Sequence, residues 1–181
     1  MKYFAALITS TVLSQGFAAW KVLKTEGTVN VKANDVLAVG VQILTGDDGK
    51  VKIKSDKTVM FIGPKSDLVI NEDLGAPSVS VFNIAYGKLR AIVQKTNEPT
   101  LKIKTPAAVV GVRGTEFFVS ALGTREVICT LKGKVAVEVI KLQQTIEVPA
   151  GKGLRLSKND DPKLDDNSES LVKKWVVETD F

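Results

Sequence analysis

Apolar and polar residues alternate along this chain with a period of two, and no other feature constrains the fold as strongly. Val29-Asn30-Val31-Lys32, Val51-Lys52-Ile53-Lys54, Leu101-Lys102-Ile103-Lys104 and Val135-Ala136-Val137-Glu138-Val139 each place an apolar group at every second position. Successive side chains of a strand point to opposite faces, so each run reads as a strand with one dry and one wet face. Between them, Asp47-Asp48-Gly49, Ser55-Asp56-Lys57, Ala121-Leu122-Gly123-Thr124 and Lys132-Gly133-Lys134 are turn-forming clusters too short for helices, so hairpins and tight corners are expected. Hydrophobic residues make up 44% of the chain and aromatics only 6%. The core is thus left to Val, Ile, Leu and Ala, a composition that favours sheet. A Gly followed by Lys or Thr opens an alternating stretch at Gly27, Gly49, Gly87 and Gly133, a loose echo that fits stacked strands. The expected fold is all-β and elongated, its stacked strands forming a β-solenoid, a β-roll or a twisted sandwich.

The ends of the chain read differently. Lys2, an apolar run from Tyr3 to Leu13 and the small residues Gly16, Ala18 and Ala19 have the layout of a secretory signal peptide, assigned to residues 1–19. The run is about a dozen residues where a spanning helix needs about 20, so no permanent membrane span is expected. Export follows from this reading, to the periplasm first, with secretion or the cell surface as alternatives. Roughly 160 residues remain, enough for one core: a β domain over 20–156. Residues 157–170 are polar, Asp-rich and interrupted by Pro162, and read as an acidic linker. Over 171–181, Leu171, Val172, Trp175 and Val176 share one side of a helix of about three turns. That short C-terminal helix either folds back to close an open end of the β body or docks on a partner.

Charge and residue types exclude several functions. From Trp20 to Leu156 the chain has 20 Lys or Arg against 13 acids, a net of +7, while Ser157 onward has 4 Lys against 7 acids, a net of −3. Most of the lysines alternate with core positions and solvate the outer face. Together they can still steer the body toward anionic envelope polymers. Nucleic acid is a poor partner for an exported chain with few aromatics for base stacking. There is no His, no Ser-centred elbow, no phosphate-binding loop and no metal-ligand spacing, so neither enzymatic activity nor a cofactor is expected. The adjacent acids Asp47-Asp48 and Asp160-Asp161 are turn formers first and a carboxylate pair for glycan hydrolysis only remotely. Cys129 stands alone and shares strand parity with Val127 and Leu131, which points it with them into the core.

Thr105 to Phe117 reads T-P-A-A-V-V-G-V-R-G-T-E-F. Pro106 biases Thr105 to an extended shape. Gly111 and Gly114 bracket Val112-Arg113 at an expected sharp corner or bulge. Arg113 has five donors with which to tie carbonyls of neighbouring turns or to pair with Glu116. Thr115 can satisfy a local backbone group, and Phe117 and Val119 anchor the outgoing strand. The segment closely resembles the signature of the FecR domain family, T-P-x-A-x-x-G-V-R-G-T-x-F. Upstream, Ile43-Leu44-Thr45-Gly46, Val51-Lys52-Ile53 and Ile62-Gly63-Pro64-Lys65-Ser66 are similar to that family's strand and turn elements. The resemblance covers roughly Val22 to Leu156.

It implies a FecR-type β domain whose motif is a structural corner with a contact role in reserve. Regulators of the family join such a periplasmic domain to a transmembrane helix and a cytoplasmic anti-sigma segment. This chain resembles the exported domain alone. Three functions follow as expectations: a non-enzymatic binding or scaffolding module for a protein or envelope polymer, an accessory engaging a separate membrane receptor in cell-surface signalling, or, remotely, a glycan hydrolase.

Overall fold

The alternating runs become strands because each carries one apolar edge that adjacent strands and an opposing layer can bury. The computed structural model describes residues 19–72, 79–97 and 100–166, and within them the chain forms fifteen strands and no helix. The strands share one hydrogen-bonded ladder that bends back on itself into two layers. Layer I runs in spatial order β2 (Val36–Leu37), β1 (Trp20–Glu26), β4 (Lys50–Lys54), β5 (Thr58–Ile62), the second half of β7 (Ser80–Val93), β10 (Glu116–Leu122), β11 (Arg125–Lys132), β14 (Lys152–Ser157) and β15 (Lys163–Asp166). Layer II runs β3 (Gln42–Thr45), β6 (Ser66–Glu72), the first half of β7, β8 (Leu101–Lys104), β9 (Ala108–Val112), β12 (Lys134–Val139) and β13 (Gln144–Pro149). Every strand pair is antiparallel except β7 with β8. Antiparallel pairing sets aside a parallel solenoid and leaves a twisted, sandwich-like sheet.

One core lies between the layers, with Val22, Ile53, Ile62 and Val119 contributed by layer I and Ile43, Leu68, Phe82 and Ile103 by layer II. Trp20 locks the two together: its ring meets Phe82 edge-on at 4.8 Å, and its indole N–H donates to Ser80 Oγ at 3.0 Å.

The fourteen-residue strand β7 makes the bend. In its first half Phe82 and Ile84 point inward; in its second half Leu89, Ala91 and Val93 do, so parity switches midway. A register shift opposite Asp67 and Leu68 inserts the extra residue that flips the faces. Gly87 follows at φ 125°, and a Cβ there would lie 2.2 Å from Ser66 Oγ. Only glycine lets β6 and β7 close at this point.

Two expectations fail locally. Val29 to Lys32 is not a strand, since Val29 makes only an isolated bridge to Thr45. The Asn30 amide substitutes for a ladder partner, donating to Gln42 O at 2.9 Å and accepting from Leu44 N at 2.8 Å. Residues 163–166, read as linker, form β15 on the edge of layer I. Their acids are held by Arg155, 3.2 Å from Asp165, and by Lys152, 2.5 Å from Asp166. The signal-peptide residues 1–18 and the helix expected over 171–181 lie outside the described residues.

Candidate functional site

The family-like segment spans the molecule instead of gathering at one point. Thr105-Pro106-Ala107 forms the turn between β8 and β9, β9 carries the chain about 15 Å along layer II, and Arg113-Gly114-Thr115 crosses to β10 in layer I. The segment therefore has two ends on opposite rims, and no single site collects its residues.

At the first rim, Thr105 N donates to Ala108 O at 2.9 Å and Ala108 N donates back to Thr105 Oγ1 at 2.9 Å. Pro106 is exposed. Glu126 of β11 reaches inward across the layers, accepting from Ala107 N at 3.0 Å and bonding the Thr105 hydroxyl. It is buried, and desolvation pushes its carboxyl pKa above the ordinary value near 4.5 in spite of these two hydrogen bonds. A cavity of about 500 Å³ opens beside it between Pro106, Gly123, Ile140, Lys158 and Pro162.

At the second rim, Gly114 has φ 64° and a Cβ there would approach Lys95 Cα to 2.9 Å. Gly111 differs from the expectation. It sits inside β9 with ordinary φ, and a Cβ would meet its nearest neighbour, Ala136 O, at a comfortable 3.9 Å. Val112 and Phe117 are core residues, as is Val119. The Thr115 hydroxyl is buried without a hydrogen-bond partner among the described residues, so it does not satisfy a backbone group as expected; its methyl faces Gly133 instead.

Glu116 does not pair with Arg113. Its Oε1 accepts from Arg90 Nη2 at 2.5 Å and Nε at 3.1 Å, and its Oε2 lies 3.4 Å from Lys132 Nζ. Arg90 in turn stacks between Phe61 and Phe118, 5.4 and 5.7 Å from the ring centroids. Arg90 is thus the structural arginine of this corner. Arg113 is exposed, and its side chain makes no hydrogen bond or ion pair among the described residues.

Sequence reasoning also missed Glu126 and misplaced Cys129. On β11, Glu126, Ile128 and Thr130 point into the core, while Val127, Cys129 and Leu131 point outward and pack with Phe118 on the outer side of layer I. The buried polar groups are satisfied across the layers, Thr130 Oγ1 donating to Val148 O at 2.9 Å. Burial raises the Cys129 thiol to about 11, which keeps it an unreactive thiol at neutral pH.

The acids considered for hydrolysis have local duties or lie apart. Asp48 accepts from Thr28 N at 3.0 Å, a bond that lowers its pKa, and Asp47 lies 3.4 Å from Lys65. Among the described residues no three His, Cys, Asp or Glu side chains gather as a metal site, and no helix is long and apolar enough to cross a membrane.

No curated protein matches the chain. Two crystal structures do, at 1.65 and 2.50 Å resolution, both of a protein from Parabacteroides distasonis ATCC 8503 put forward as an anti-sigma factor. Each superposes with a TM-score of 0.65 at 15% identity, over 75% of this chain and 64% of the other, a likeness of fold. This chain thus accounts for less than two thirds of that protein's length. The FecR protein family model matches residues 41–136, which takes in both the upstream strand elements and the Thr105–Phe117 segment. With more than half of its length in that match, the chain belongs to the FecR family.

Proposed function

We propose that this protein is an exported, non-enzymatic binding or scaffolding module of the cell envelope, and that Arg113 is its contact residue. One observation carries the reading. Every other residue of the second rim is consumed by the fold, whereas Arg113 is held out on a constrained corner with its five donors unused. A guanidinium on a rigid mount recognises carboxylate or phosphate groups, as carried by an acidic protein face or an anionic envelope polymer. Export rests on the signal-peptide layout of residues 1–19.

The test separates folding from binding. Arg113→Ala changes unfolding free energy by less than about 0.5 kcal/mol, as expected of an exposed side chain. The same substitution abolishes a partner crosslink, or retention on purified anionic envelope polymer, that the unaltered chain gives. A variant that loses stability and keeps binding refutes the assignment. The second reading, an accessory that engages a separate membrane receptor in cell-surface signalling, is favoured by the fold shared with a protein put forward as an anti-sigma factor. It predicts a membrane-protein crosslink in place of polymer retention.

A further inference from the structure

The outer side of layer I carries a cross-strand row in which Phe61, Arg90, Phe118, Cys129, Gly153 and Asp165 stand side by side on β5, β7, β10, β11, β14 and β15. These side chains point away from the interlayer core, yet the middle of the row is as dry as the core: Phe118 is 1% exposed, Cys129 4% and Phe61 5%. Strand β10 is buried at six consecutive positions, Glu116 to Ala121. Strands with one wet face alternate; burial at every position marks a strand covered on both sides.

The chain itself supplies the cover. It leaves the described fold at Asp166, directly after Asp165 at the end of this row. From β15 to β10 is three interstrand steps, about 14 Å at ~4.8 Å each. The four residues Asn167 to Ser170 reach about 13 Å when extended, which brings Leu171 over Cys129 and Phe118. The segment that follows has the apolar stripe Leu171, Val172, Trp175 and Val176. The charges match too. Lys52, Lys132 and Arg155 border the row, and the segment brings Glu169, Glu178 and Asp180. We infer that residues 167–181 fold back across the outer face of layer I and seat their apolar stripe on Phe118, Cys129 and Phe61. The cover is a latch on the broad outer side of the sheet, not a plug in the open end of the sandwich. A partner that competes for the stripe uncovers this patch.

Cys129, the only thiol in the chain, reports on the latch. Its rate of reaction with dithionitrobenzoate is measured in the full chain, in a chain ending at Asp166, and in full-length Trp175→Ala, with far-UV circular dichroism checking that each is folded. The thiol is expected to react about tenfold faster or more in the shortened chain, with Trp175→Ala between the two. A synthetic peptide of residues 167–181 added to the shortened chain restores slow reaction. Equal rates in the full and shortened chains overturn the inference. If the shortened chain does not fold, an unchanged rate in folded Trp175→Ala does so. Protection that fades on dilution assigns the cover to a second copy and overturns the intramolecular latch.

Discussion

Gly111 and Gly114 stand three residues apart in one family segment and meet opposite demands. Gly114 combines a left-handed φ of 64° with a neighbour, Lys95 Cα, 2.9 Å from where a Cβ would sit. Gly114→Ala is therefore expected to cost roughly 1–3 kcal/mol in denaturant unfolding. Gly111→Ala, in an ordinary strand conformation with open space, is expected to be neutral or to stabilise by up to about 1 kcal/mol. Glu126 makes a pH-dependent contribution. Its folded-state pKa is raised, so the folded chain holds the proton more firmly than the unfolded chain. The carboxyl therefore costs nothing below the ordinary value near 4.5, and stability is lost as pH rises from there through the raised pKa. Glu126→Gln can accept from Ala107 N and donate to Thr105 Oγ1 without a buried charge. Its melting temperature should match the parent near pH 4 and exceed it increasingly toward neutral pH. A gap that shrinks with rising pH would contradict the assignment.

Strand pairing explains why the arginine that matters to stability lies outside the family-like segment. Arg90 is brought to Glu116 and to the rings of Phe61 and Phe118 by the register of β5, β7 and β10, three strands far apart in sequence. Arg90→Ala leaves Glu116 buried and unpaired and should destabilise by about 3–5 kcal/mol, while Arg90→Met with Glu116→Gln should recover most of that. Equilibrium unfolding of the two variants decides it. The same registers show which parts of the text were legible. Val51–Lys54, Leu101–Lys104 and Val135–Val139 became strands because only one of their faces is apolar. On β11 both faces are dry, so the apolar parity of Val127, Cys129 and Leu131 pointed to the wrong side, and Glu126 passed unnoticed as a surface acid. The edge strand Lys163–Asp166 has no apolar alternation to read. Its pairing rests on Arg155 and Lys152.

For the whole molecule, the body's +7 against the tail's −3 is a long-range property that no single contact carries. If the body binds an anionic envelope polymer, the association rate should fall steeply between about 0.05 and 0.3 M salt, as the Debye length contracts to below ~10 Å. Binding measured by biolayer interferometry at several salt concentrations checks this, and a flat profile assigns recognition to uncharged contacts. The sequence by itself determined the strand-rich class, the corner at Gly114, the core role of Phe117 and the family, because period-two alternation and glycine's missing Cβ act locally. Only the tertiary structure decided that Arg90 and not Arg113 holds Glu116, that Glu126 ties the two layers, and that the outer side of β10 is buried. Those facts depend on which distant strands become neighbours, and that choice belongs to the closed sheet.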